Sequence, residues 1–417
     1  MTLQKETELP AGWKWVKLRD VCTLFNDGDW IETKYQSNEG IRLIQTGNIK
    51  TGYFEDRIDK ARYISEGTFE LLNCTEIFGG DMLVSRLPDP VGRASVLPQL
   101  SERAITAVDC TIIRINNDII YLGYLNHFMQ SRAYFSSIQK RITGTTRQRI
   151  SRKNLGEIPV LLPPLAEQER IAGILNRVDE IKSLREEAYN KATELISSIF
   201  HDMAGKYTQE TELPAGWKWV KLGDVCYVTD YVANGSFASL KENVIYKNKP
   251  DFAVLVRLKD FSNGWDSAGF VFVDEHAYKF LSKSSLTVGD VVVANVGSVG
   301  RAFMVPDLGL PMTIAPNAVL IKPLNEAEIT KDFIFRWITS DIGQSSLVSI
   351  TATTAQPKFN KTNLKGLFLP LPPLEEQKRI AERIHKAESI RDAAEESLRK
   401  IEELQASMLQ KAFRGEI

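Results

Sequence analysis

A run of seventeen residues, ETELPAGWKWVKLRDVC at 6–22, returns as ETELPAGWKWVKLGDVC at 210–226, with Arg19 against Gly223 as the single difference. Repetition at this level constrains a chain more than any local pattern, because whatever the first copy folds into, the second must fold into as well. A second pair of segments sets the register: LPPLAEQERIA at 162–172 and LPPLEEQKRIA at 371–381, 209 residues apart. Between these anchors the halves diverge, yet GDMLVSR at 80–86 stands beside GDVVVAN at 289–295, and Val-Gly-Arg follows each, ending at Arg93 and Arg301. The chain therefore reads as A-B-A′-B′. Segments kept alike should face two copies of one partner or each other, whereas diverged loops should face two different ligand features.

The A segments, 1–162 and 206–371, are rich in short β-like runs such as IRLIQTGNI, CTIIRI, FAVLVRL and AVLIK, broken by Gly, Pro and Asn. Around 119–140 and 332–347 the spacing turns helical, with Tyr121, Leu125, Phe128 and Met129, then Phe333, Ile334, Trp337 and Ile338. The B segments, 163–205 and 372–417, open on Pro163-Pro164 and Pro372-Pro373, which suit a first helical turn because its N–H groups are unpaired in any case. Apolar stripes follow: Ile171, Ile174, Val178, Ile181, Leu184, Ala188, Ala192, Leu195 and Ile199, then Ile380, Ile384, Ala387, Ile390, Ala394, Leu398, Ile401, Leu404 and Met408. At about 1.5 Å per residue each helix is about 55 Å long, more than a domain of this size needs for its own core. Matched stripes with charged outer faces predict that the two helices pair with each other. The expected fold class is α+β: a tandem duplication of a mixed, β-rich domain followed by a long helix.

Composition narrows function by exclusion. With 52 Lys and Arg against 53 Asp and Glu, nucleic-acid binding has to come from local patches. The cysteines, Cys22, Cys74, Cys110 and Cys226, form no CxxC pair, and His127, His201, His276 and His385 have no metal-ligand spacing. No metal site is expected, and the thiols are expected to be reduced. No signal core and no membrane-length apolar run occur, so the expectation is a cytoplasmic chain without a membrane partner. Phosphate-loop, dinucleotide, zinc-protease and serine-hydrolase motifs are missing, as is an Asn-Pro-Pro-aromatic loop. Asp29, Glu32 and Lys34 lie too close together to make a nuclease centre. No catalytic residue is assigned.

Basic residues are distributed more tellingly. From Ile119 to Gly156 there is no acid but seven bases: Arg132, Lys140, Arg141, Arg147, Arg149, Arg152 and Lys153. The loop at 143–153, with Arg141 before it and Thr145, Thr146, Arg147, Gln148, Arg149 and Lys153 in it, suits phosphate contacts and bidentate bonds to purine edges. Its counterpart at 351–361 offers Thr353, Thr354, Gln356, Lys358 and Lys361. Matching the threonines puts Ala352 where the first copy has Gly144 and gives the second loop Pro357 and one extra residue. Further candidates are Arg86, Arg93, Asn295, Ser298 and Arg301 after the Gly-Asp strands, and the strand ends Gln45 and Arg257.

The order of a GWxWVxLGD opening (with Arg19 for its second glycine in the first copy), a Gly-Asp strand followed by Gly-Arg, a TTxQ loop and a PPLxEQxRI helix start, each occurring in both halves, resembles the DNA specificity (S) subunits of Type I restriction-modification systems. The resemblance spans essentially the whole chain. It implies target recognition domains at 1–162 and 206–371, each reading one half of a split, asymmetric DNA target. It also implies spacer helices at 163–205 and 372–417 that pair as an antiparallel coiled coil, with Ile171, Val178, Ile181, Leu195, Ile380, Ile384, Ile390, Leu398 and Leu404 as expected packing residues. The implied partners are double-stranded DNA, two methyltransferase subunits and, in a full complex, two restriction subunits. S-adenosylmethionine, ATP and magnesium would sit on those partners and not on this chain, and the methylated base would be adenine. A duplicated RNA-binding or scaffold protein is the alternative that basic loops and long helices also allow.

Overall fold

The computed structural model describes residues 9–144, 147–207, 211–352 and 356–416. Thr145, Thr146, Thr353 and Thr354 lie outside the described residues. The chain forms two compact units, Met1–Glu186 with Glu395–Ile417, and Glu187–Ala394. Each unit thus holds one β-rich body, the start of one long helix and the end of the other.

In the first unit an antiparallel sheet runs Cys22–Asp27, Cys110–Ile115, Met82–Ser85, Ala94–Val96. A second sheet runs Gln36–Ser37, Tyr63–Ile64, Ile41–Ile44, Ala104–Thr106, its last two strands parallel. The other unit repeats this with Cys226–Asp230, Ala318–Pro323, Val291–Ala294 and Ala302–Met304, and with Phe272–Val273, Ala253–Val256, Met312–Ile314 and Ser285–Leu286, again with one parallel pair. Met82–Ser85 and Val291–Ala294 are buried at every position, which is why they read as unbroken short runs instead of alternating ones. The opening strand is one residue longer in the first copy, and a bulge between Cys22 and Leu24 absorbs the difference. Asp27 and Asp230 therefore occupy the same place, opposite Thr111 and Val319.

The Gly-Asp motif acts inside this sheet. Asp81 accepts from the Phe78 amide at 2.9 Å and from Arg114 on the neighbouring strand at 2.8 and 2.7 Å. Asp290 accepts from the Thr287 amide at 2.7 Å and pairs with Lys322 and Lys331, both at 2.9 Å. Burial pushes the Asp290 carboxyl up, but the Thr287 amide and the two lysines outweigh it and hold the group below the usual carboxylate range.

The near-identical opening segment has a structural assignment as well. Lys14–Lys17 pairs antiparallel with Pro159–Leu162, and Lys218–Lys221 with Phe368–Leu371. The partner strand in each case leads straight into the Pro-Pro pair and the long helix. Short helices stand where the spacing predicts them, at Leu122–Phe128, Arg132–Gln139, Lys331–Thr339 and Asp341–Ser349. Gln168 and Gln377, from the identical PPLxEQ starts, are buried. Each accepts from a backbone amide (Tyr121 at 2.8 Å, Thr330 at 2.9 Å) and donates to two carbonyls, those of Ile119 and Pro163 or of Glu328 and Pro372. The side-chain amide fastens the helix start to the loop before the packing helices.

The long helices run Leu165–Phe200 and Leu374–Ala412. Their pairing is antiparallel: in the first unit Asp179 meets Gln405 at 2.5 Å and Lys182 meets Glu402 at 3.3 Å, so partners descend as residues ascend. In the second unit Ile199 and Phe200 share a core with Ile380 and Ile384. The helix ends seal the bodies, with Phe413 5.2 Å from Tyr124 and 5.4 Å from Phe128, and Phe200 5.9 Å from Phe333.

The seam differs in part from the expected stripe. Along the second helix, burial returns at 380, 384, 387, 391, 394, 398, 401, 405, 408 and 412, an alternation of four and three residues. Ile171, Val178, Ile380 and Ile384 are buried in it, and Leu398 is half-buried. Ile181, Leu195, Ile390 and Leu404 are not seam residues, remaining 44%, 46%, 52% and 47% exposed; Leu184 is exposed too. At two of these positions a long polar side chain takes the seam one position later: Lys182 reaches Glu402 and Gln405 reaches Asp179, which leaves Ile181 and Leu404 on the flank. After Leu195 the seam position is held by Ile196, which packs against the core of the second unit. At Ile181 and Leu404, counting apolar residues selects the wrong member of the pair.

Candidate nucleic-acid interface

The basic loop of the first unit is closed by a bridge in which Thr143 and Arg149 exchange both amide bonds at 2.9 Å, and the Ile150 amide donates to the Arg86 carbonyl at 3.2 Å. In the second unit the Ala352 amide donates to Lys358 at 2.9 Å and the Phe359 amide to Asn295 at 3.1 Å. Thr143 thus corresponds to Ala352, Arg149 to Lys358, Ile150 to Phe359 and Arg86 to Asn295. This corrects the threonine-based match: the second loop carries no extra residue, Ala352 does not replace Gly144, and Gln356 corresponds to Arg147. The offset is 209 residues, the same as between the Pro-Pro motifs. The two TxTT strings are shifted by one residue against the backbone register.

Arg147, Gln148, Arg149 and Lys153 are exposed on the first loop, as are Gln356, Pro357 and Lys358 on the second. Ser151 and Asn360 cap the small helices that follow, Arg152–Gly156 and Lys361–Lys365, accepting from the amides of Asn154 and Asn363. These caps aim Arg152 and Lys361, each first in its helix, back toward the opening strand. Lys361 reaches Asp230 at 2.8 Å. Arg141 turns its guanidinium onto the Ser137 carbonyl at 3.0 Å.

The remaining candidates divide by unit. In the second, a cleft of about 530 Å³ brings together Arg257, Ser298 and Gln356, with Tyr246, Lys259 and Asn317 between them. Arg301 is exposed over the Phe261 ring at 5.0 Å, and Asn295 donates to the Phe359 carbonyl at 3.3 Å. In the first unit, Arg86 and Arg93 are buried. Arg93 donates to the carbonyls of Ile49, Leu87 and Thr46, each at 2.8 Å, and so ties two loops together from behind the surface. Arg86 donates to Val108 at 2.5 Å and lies 3.4 Å from Asp27. Gln45 and Arg257 hold one position in the two copies: each precedes a short helix, and its amide donates to Asn48 at 3.0 Å or Asp260 at 2.8 Å.

Sequence reasoning missed Tyr246, Lys259 and Asn317. Lys259 stands two residues after Arg257, a signal that could have been used. Asn317, in the left-handed region at φ 71°, and Tyr246 carry no such mark. The residues weighed for nuclease chemistry do not converge, since Lys34 pairs with Glu32 at 3.0 Å while the Asp29 carboxylate accepts from the Thr75 amide. Among the described residues no group of three or more His, Cys, Asp or Glu could hold a metal ion, and no helix is long and apolar enough to cross a membrane. The cysteines are free, and burial pushes the Cys22, Cys110 and Cys226 thiols up to about 12.

Two duplicated bodies with exposed basic loops, joined to antiparallel helices, form the kind of architecture that suits reading of a nucleic acid at two places. Residues 10–194 and 214–405 each match the family described as Type I restriction modification DNA specificity domain. The chain belongs to that family, and its role is DNA sequence specificity. It is similar to the putative type I restriction enzyme MjaX specificity subunit of Methanocaldococcus jannaschii, 22% identical over 98% of this chain and 95% of that protein. The EcoKI specificity subunit of Escherichia coli K12 is 24% identical over 98% and 90%. The EcoBI specificity subunit is 25% identical over 68% of this chain, a match spanning 64% of that protein. Among solved structures, a chain from a study of type I R-M complex assembly superposes with a TM-score of 0.64 at 19% identity, covering 98% of this chain and 100% of that one. The HsdS subunit from Thermoanaerobacter tengcongensis gives 0.51 at 20% identity over 99% of both. At these identities the likeness speaks for the fold.

Proposed function

We propose that this chain is the non-catalytic specificity subunit of a Type I restriction-modification complex, and that it recognises a bipartite, asymmetric duplex target with a fixed gap. The observation that carries the reading is the combination of equal joints and unequal reading positions. Gln168 and Gln377 make the same three bonds, while Arg147, Arg149 and Gln45 correspond to Gln356, Lys358 and Arg257. Arginine favours guanine and glutamine favours adenine in the major groove, so unlike side chains at like positions read unlike half-sites. In this reading Arg141, Gln148, Lys153, Ser298, Arg301 and Lys361, with the threonines of both loops, complete the contact surface, and Arg93 acts as a positioning residue.

Two methyltransferase subunits are the proposed protein partners, with two restriction subunits joining them in the full complex. S-adenosylmethionine, ATP and magnesium would belong to those subunits, and adenine would be the methylated base. The displaced aliphatic residues support a twice-used surface: Ile181 and Leu404 in one unit correspond through the 209-residue offset to Ile390 and Leu195 in the other. In an antiparallel pair these positions share one flank. The opposite flank carries acids, among them Asp179, Glu186 and Glu402.

The helices would set the gap. Their 36 and 39 residues span about 54 and 58 Å at about 1.5 Å per residue. Inserting four residues after Glu187 and four after Glu396 lengthens each by about 6 Å, against about 3.4 Å per base pair. Mapping the modified bases in a genome expressing the variant with its methyltransferase should return the same half-sites, separated by one or two more base pairs. Full modification at the original gap would remove the helices from that role.

A further inference from the structure

One acid lies beneath the proposed reading surface at the same place in both units. Asp27 and Asp230 end the opening strands, and the bulge at Cys22/Leu24 keeps them in register despite the extra residue. Each faces the first residue of the small helix that follows the basic loop. In the second unit the partner is Lys361, 2.8 Å from Asp230, whose same oxygen also accepts from the Ala233 amide at 3.0 Å. In the first unit Asp27 is shared: Arg86 lies 3.4 Å and Arg152 3.9 Å away, the Thr111 hydroxyl donates at 3.1 Å, and Arg152 also reaches Asn26 at 3.3 Å. Where the first copy has Arg86 the second has Asn295, and there the single lysine draws closer. The surrounding residues have changed and the acid–base pairing has persisted.

A fixed carboxylate at this distance neutralises a cation that would otherwise be offered to any phosphate. Non-specific affinity for DNA arises almost wholly from such cations, whereas specific affinity adds base contacts. Where base contacts seat the target with the acid–base pair left intact, an internal competitor for phosphate weakens binding to arbitrary sequence, which draws on every available cation, more than binding to the target.

We propose that Asp27 and Asp230 are specificity-determining residues, intramolecular phosphate surrogates that hold Arg152 and Lys361 back from non-specific DNA. The proposal rests on the DNA-reading surface described above and adds to it a device for discrimination. Asp27→Asn and Asp230→Asn keep the shape and the neutral hydrogen bonds but discharge the competitor. With the full chain assembled with its methyltransferase, each variant should bind random-sequence duplex about five- to tenfold more tightly at low salt and steepen the log–log salt slope by about one. Target duplex should gain less, so the ratio of specific to non-specific affinity falls. Adding Lys361→Met to Asp230→Asn should return the slope to the parental value, a response that a merely structural carboxylate would not produce. An unchanged slope in both single variants would overturn the proposal. So would parallel weakening on both duplexes together with a lower melting temperature. If the parental assembly showed no salt-dependent binding to duplex at all, the DNA-reading assignment itself would be the part that failed.

Discussion

The joints between reader and long helix are built in two ways in the two units. At Gln168 and Gln377 the residue, the burial and all three hydrogen bonds are the same. About two turns further along the long helix His127 meets Asn176 at 2.7 Å, while its counterpart Arg336 reaches about three turns along, making a two-pronged pair with Glu388 at 2.6 and 2.8 Å. The difference lies in what is being satisfied. A glutamine that serves one backbone amide and two carbonyls has a fixed acceptor and donor geometry that no other side chain reproduces. A contact between two side chains can be rebuilt from both ends.

Removing the glutamines should have the largest effect and the same size in both units. Gln168→Leu and Gln377→Leu each strand buried backbone groups, at a loss on the order of 3 kcal/mol. Hydrogen exchange at 122–128 and at 331–339 should report equal loss of protection; loss in one unit alone would show that the identical motif does different work in the two copies. The Gly-Asp carboxylates should separate the units instead. Asp290→Asn leaves Lys322 without a counter-ion and Lys331 with only the exposed Glu326 at 3.9 Å, and should destabilise by about 2 kcal/mol, against about 1 kcal/mol for Asp81→Asn, whose Arg114 is more exposed. Because the Asp290 carboxyl is held below its ordinary value in the folded chain, its stabilisation is present above about pH 4 and is lost as the pH falls further. Exchange measured from pH 6 down to pH 3 should show the parental second unit losing this increment and the Asp290→Asn variant lacking it throughout.

Much of this organisation is legible in the sequence because repetition makes each half a control for the other. The two reader–helix modules, the packing helices and the Pro-Pro starts follow from matched segments. The antiparallel order of the long helices comes from the family resemblance. What the sequence hides is register. In the long helices Lys182 and Gln405 hold seam positions through their long side chains, so counting apolar residues picks Ile181 and Leu404 instead. In the basic loops, matched threonines suggest an insertion that the Thr143–Arg149 and Ala352–Lys358 bridges exclude. Burial is hidden as well: Arg93 reads as a surface cation, but its guanidinium is occupied by four backbone carbonyls.

Exchanging one reader tests the central claim most directly, namely that two readers of different sequence sit on equal joints. Residues 23–160 would be replaced by the corresponding segment of a relative with a different target, and the modified bases mapped in a genome expressing the chimera with its methyltransferase. The account predicts that one half of the modified motif changes to the relative's half-site while the other half and the gap stay as they were. A change in both halves, or in neither, would contradict it.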